Sequence, residues 1–232
     1  MTSRKRMARI AGLWYLGFTL GPFYLLYVPS QTIVHSDAAA TAARVLAHET
    51  LYRWGMLAET LGSVIFMGLS LALYRLFEEV DRHRARQLVA LVLISSALGV
   101  VNVVFSAAAL LIFQGGPSFA AFDGPARDAI GMLLIRMHAQ ANGINQTFWG
   151  LWLFPFGWLI VRSRFLPRWL GYWILLDGIA WVAVGVTWFL TPEYTDALFR
   201  YFQPIFFAEL AAMLWLLIMG AKEQPPVAAA TR

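Results

Sequence analysis

Three carboxylates, Glu59, Asp177 and Glu209, stand inside strongly apolar stretches of the chain. An ionised acid at the centre of a membrane-spanning helix costs about 2.5–3.5 kcal/mol on insertion scales, so an acid kept there has a buried partner or a task. Amides, hydroxyls and one imidazole accompany these acids at helical spacing. Ser95, Gly99, Asn102 and Ser106 are separated by four, three and four residues, which puts them on one face of a helix. His138, Asn142, Asn145 and Trp149 repeat that spacing with Gln146 beside them, and Glu59 heads a strip of Gly62, Ser63, Phe66 and Ser70. Side chains of these types can exchange a proton, receive a cationic group, or hydrogen-bond one helix to another.

At about 1.5 Å of rise per residue, counting from the ends of the apolar stretches puts Glu59, Glu209, Asn102, Asn142, Asn145 and Gln146 at one level in the outer half of the bundle. Asp177 falls alone near the middle. The expectation is one outward-facing pocket lined by Glu59, Asn102, Asn145, Gln146 and Glu209, with His138, Arg53 or Arg136 above it. Asn142 and Asp177 complete the candidate ligand contacts. The plainer reading of the same residues is that they lock helices together by hydrogen bonds.

The elements that must hold these groups are membrane helices. The chain is 59% hydrophobic and 13% charged with a mean hydropathy of +0.62, outside the balance of soluble domains. Six stretches approach the roughly 20 apolar residues a crossing needs: 10–28, 54–77, 88–113, 143–161, 169–190 and 201–220. Continuous runs of this kind predict helices rather than barrel strands. The expected fold class is therefore all-α: six transmembrane helices in one bundle, with a basic start over 1–9, a transmembrane domain over 10–220 and a disordered tail over 221–232. The first stretch follows Arg4, Lys5, Arg6 and Arg9 without a small-residue cleavage site and is read as an anchor that stays attached.

Of the 18 Lys and Arg residues, most fall on the side of the N-terminus in this six-crossing scheme, which makes both ends cytoplasmic by the positive-inside rule. Two outer loops carry helix signals. Ser36 and Asp37 can cap a short helix through Ala38 and Ala47. A second restarts at Pro125 with Asp128 in its first turn, then carries Ile130, Leu133, Leu134 and Met137 toward the fourth crossing.

Several chemistries are excluded. The absence of cysteine removes disulfides, thiolate metal sites and a cysteine nucleophile. His48-Glu49 begins like a zinc-protease motif, but the second histidine's place is taken by Tyr52. No phosphate loop, nucleophile elbow or dinucleotide fingerprint occurs, so neither a cofactor nor a metal is expected. The basic residues gather at segment ends rather than on one face, which argues against a nucleic-acid partner.

Short motifs run through the whole chain in a recognisable order. They include Arg9-Ile10-Ala11-Gly12-Leu13, Asp37-Ala38-Ala39-Ala40-Thr41, Gly150-Leu151, Gly157-Trp158-Leu159, Arg162-Ser163, Leu166-Pro167, Leu170-Gly171, Glu209-Leu210 and Leu214-Trp215-Leu216-Leu217. Together they resemble the bacterial membrane family catalogued as domain of unknown function 4386. The chain departs from that family's pattern in carrying Arg164 after Arg162-Ser163, where glycine is common, and Glu59 near a common aspartate. The resemblance implies a six-helix protein of the bacterial inner membrane and supplies no activity, substrate or cofactor. Three functional expectations follow: binding or transport of a small amphiphilic molecule or lipid through the polar pocket, a membrane-embedded enzyme acting on a lipid with a glutamate and His138 as its acid–base pair, or a structural subunit. The surrounding lipid bilayer is the expected partner, and the oligomeric state is left open.

Overall fold

The structure is a computed structural model that describes residues 4–222; the remainder of the expected tail, from residue 223, lies outside the described residues. Every regular element among the described residues is helical. Helix α1 (Arg4–Leu16) continues through a 3-10 turn (Gly17–Leu20) and a π turn (Phe23–Tyr27) into α2 (Val28–Thr32). Pro22 and Pro29 account for the irregularity, because each lacks an amide hydrogen and crowds the carbonyl four residues back. Then follow α3 (Ala38–Ala47), α4 (Glu49–Phe77), α5 (Arg82–Gln114), α6 (Gly124–Leu151), α7 (Leu153–Ser163), α8 (Arg168–Leu190) and α9 (Thr195–Leu214), the last extended by a π turn (Trp215–Met219).

Side-chain caps set several of these starts. Asp37 accepts from the Ala40 amide at 2.9 Å, Asp81 from Arg84 at 3.0 Å and Asp123 from Ala126 at 2.8 Å, each satisfying one of the amides a helix N-terminus leaves bare. The helix expected from Pro125 thus begins at Gly124, and it is no separate loop element: it runs unbroken as the first part of α6.

Among the described residues, five helical rods are long and apolar enough to cross a membrane: Arg4–Thr32, Glu49–Phe77, Arg82–Gln114, Arg168–Leu190 and Pro192–Met219. They mark a multi-pass membrane protein. The remaining expected stretch, 143–161, the fourth along the chain, lies across the junction of α6 and α7. Around Trp152 the backbone bonds lengthen, with the Trp152 amide 3.3 Å from the Phe148 carbonyl and the Phe156 amide 3.3 Å from the Trp152 carbonyl. Pro155 explains the break, since it has no amide to offer the Leu151 carbonyl. Arg127, Asp128, Arg136 and His138 further dilute the apolar character of α6.

The rods alternate in direction. Arg4 pairs with Glu79 at 2.7 Å, Gly17 packs on Ile65 and Val28 on Gly55, so the first rod is antiparallel to α4. Both described ends lie on one face of the bundle: the Lys222 amide donates to the Phe165 carbonyl at 3.1 Å, and Gly220 packs against Lys5. The core nearest that face is aromatic, with Phe66 and Phe156 against Trp152 at ring separations of 5.2 and 5.3 Å and Phe77 stacked on Phe165 at 5.6 Å.

Close backbone approach joins α6 and α7 to α8. A Cβ built on Gly150 would stand 2.6 Å from the Gly178 carbonyl oxygen, and one on Gly157 2.8 Å from that of Gly171. Only glycine permits such contact, which is how membrane helices gain packing where no hydrophobic effect separates them from lipid. Gly150, Gly157 and Gly171, part of the motif set read from the sequence, are therefore packing residues. Arg164 closes α7 with φ 58°, a left-handed conformation that glycine adopts without penalty.

Candidate functional site

The polar residues of the sequence separate into three clusters, and the cluster nearest the bundle face remote from the chain ends surrounds Glu59. This residue is 7% exposed. Its carboxylate oxygens lie 3.0 and 3.1 Å from Nε2 of His138, so α6 brings an imidazole to the acid of α4. The Asn102 amide donates to the His138 carbonyl at 3.1 Å, fixing the turn of α6 that bears the ring. Glu59 and His138 line a partly enclosed cavity with Tyr24, Tyr52, Thr32 and Ser106, and with Val28, Pro29, Ile33, Met56 and Ile135 as apolar walls. The volume open to water-sized centres is about 40 Å³, room for roughly three waters at 10–15 Å³ each. A carboxylate, an imidazole and nearby hydroxyls in so small a space suit a compact polar or cationic group rather than a bulky one.

Below it, Ser95 and Asn145 form the second cluster. Ser95 Oγ donates to Asn145 Oδ1 at 2.9 Å, and Asn145 Nδ2 donates to the Ser95 carbonyl at 3.1 Å. Both groups are buried and reciprocally satisfied, which makes this a clamp between α5 and α6.

The third cluster lies deeper still. Tyr15 donates to Glu209 Oε2 at 2.8 Å, and Asp177 is within electrostatic reach of Glu209. Asp177 is 0% exposed and neither of its carboxylate oxygens has a hydrogen-bond partner. No ion pair among the described residues includes Asp177 or Glu209.

The expected single pocket is thus divided. The first rod serves as a scale: Tyr15 marks the level of Glu209 and Tyr24 that of Glu59, nine residues apart, or about 13 Å of helical rise. The structure brings together Glu59, His138 and Asn102, and separately Asn145 with Ser95, and separately Glu209 with Asp177, which is not alone at its depth. Asn142 is half-buried without a hydrogen-bond partner, and the buried Gln146 Oε1 has none either. Arg53 turns to Glu49 at 2.7 Å and Arg136 is exposed, so neither contributes to the cavity lining. Among the described residues no three of His, Asp and Glu converge as a metal would require.

Three contributors were not singled out in the sequence: Tyr15, Tyr24 and Tyr52. Within an apolar run a tyrosine counts as hydrophobic, yet its hydroxyl needs a polar partner when buried. That need was the available signal.

Comparison with known families and structures follows from this geometry. A family model described as Domain of unknown function (DUF4386) matches residues 10–220. No curated protein and no solved structure matches the chain.

Proposed function

We propose, for a chain that belongs to the DUF4386 family over residues 10–220, that the Glu59–His138 cavity binds the polar head of a small amphiphilic molecule. The observation that carries this reading is a nearly buried acid held at 3.0 Å by an imidazole at the floor of a cavity with tyrosine and hydroxyl walls. Its size limits the occupant to a compact head such as an amine, whose apolar remainder lies along Val28, Ile33, Met56 and Ile135. Passage of the molecule from one leaflet to the other is part of the same proposal.

This reading sets the cavity toward the outside of a bacterial inner membrane, with both chain ends cytoplasmic and α6 and α7 together making the sixth crossing. It is supported by the nearness of the two ends, which an even number of crossings requires, and by the register of Gly150 on Gly178 and Gly157 on Gly171, which persists across the Trp152 junction. The short helix α3 then covers the outer face.

A second reading, a membrane-embedded enzyme acting on a lipid, draws on the same dyad: a carboxylate that orients an imidazole is an acid–base arrangement. Glu209 has no part in it. Native mass spectrometry of gently extracted protein separates the two. Under the binding proposal wild type carries a small adduct and Glu59→Gln loses it by about tenfold or more while remaining folded; an adduct retained by Glu59→Gln refutes the site. An adduct whose mass changes with time in wild type only favours the enzyme.

A further inference from the structure

At the face carrying the chain ends, two arginines converge on one indole. The guanidinium carbon of Arg84, at the start of α5, lies 5.5 Å from the Trp158 ring centroid, and that of Arg162, in the last turn of α7, lies 5.1 Å from the same centroid. Their separation cannot exceed the sum of those distances. Both arginines are exposed, and neither guanidinium meets a carboxylate among the described residues. Arg84 donates to Gln87 Oε1 at 3.1 Å; Asp81 receives the Arg84 backbone amide as a helix cap and forms no ion pair; Glu79 pairs with Arg4.

Cation–π contact holds each guanidinium in place without neutralising it. Two like charges within reach of one indole repel, and an anion that meets both lowers that cost. The planar forks of two arginines match the oxygens of a phosphate better than any other common anion at a membrane surface.

The surroundings indicate which phosphate. Trp169 and Tyr172 are exposed beside this corner, and Trp169 packs against Trp173 at 6.2 Å and Trp215 at 5.9 Å. Gly157, next to Trp158, touches Gly171, so these rings and Trp158 share one level. A belt of tryptophan and tyrosine at the end of apolar helices sits at headgroup depth. We infer that Arg84 and Arg162, braced on Trp158, form a binding site for the phosphate of an anionic phospholipid.

The test is native mass spectrometry of the detergent-purified chain titrated with phosphatidylglycerol and with phosphatidylcholine. Wild type is expected to bind one phosphatidylglycerol in preference to phosphatidylcholine, and Arg84→Gln/Arg162→Gln to weaken that binding by about thirtyfold, the effect of two basic side chains at a lipid surface. Arg84→Lys/Arg162→Lys keeps the charge and loses the fork; it is expected to lose most of the preference. Should the glutamine variant fail to fold, the lysine variant carries the test alone. Equal binding of the two lipids by wild type, or undiminished preference in the lysine variant, overturns the site. Excess inorganic phosphate is expected to leave the lipid bound, and displacement by it overturns the assignment to lipid.

Discussion

Glu59 and Asp177 are the same functional group at similar burial, yet the bundle treats them differently. Glu59 meets an imidazole at 3.0 Å and faces a cavity. Asp177 has no side-chain donor and stands within electrostatic reach of Glu209, which Tyr15 holds. The first acid has a partner of opposite kind and an opening through which a molecule can reach it. The second has a neighbour of its own kind and a seal of apolar side chains. Apolar flanks alone therefore do not tell the two acids apart; a complementary partner together with an approach does.

Three substitutions can break or sharpen that contrast. The largest effect is expected for His138→Leu, which strands the Glu59 carboxylate in a nearly buried place. Loss of one member of a buried pair costs about 3–5 kcal/mol, and Glu59→Gln added to it is expected to restore most of the loss, as thermal unfolding in detergent reads directly. An additive double variant would mean that the two groups do not act as a pair. Tyr15→Phe removes one hydrogen bond to Glu209 and is expected to lower stability by about 1–3 kcal/mol; a loss larger than that of His138→Leu reverses the ranking of the two clusters. Asp177→Asn, which deprives nothing of a partner, is expected to shift stability by less than about 1 kcal/mol in either direction. A severe loss there would give the deeper acid a role that its unpartnered oxygens do not suggest.

Much of the architecture could be read from residue spacing. The four-three-four pattern correctly set Asn102 and Ser95 of α5 toward His138 and Asn145 of α6, because helical period is a local property. The cap at Asp37 and the helix restart near Pro125 were local too. Depth was not. Glu59 and Glu209 were assigned one level by counting from the first apolar residue of each stretch, near 54 and 201. The helices begin at Glu49 and Thr195, since polar residues continue a helix past the point where hydropathy falls. Counted from those starts Glu209 is 14 residues in and Glu59 ten, only about 6 Å of rise apart; the rest of their separation comes from how α9 and α4 sit in the bundle, which no count along one segment contains. The fourth apolar stretch, 143–161, is divided between α6 and α7 because Pro155 interrupts the ladder inside it.

The first rod borders the last. Ala8, Ala11, Gly12 and Tyr15 are the buried residues of α1, and Gly12 packs against the backbone at Leu216 and Leu217. During synthesis, then, Tyr15 and its neighbours wait with an unfilled seam until a segment made 194 residues later arrives. The bond from Tyr15 to Glu209 can form only on that arrival, so it fastens a loop that holds every helix from α3 to α8.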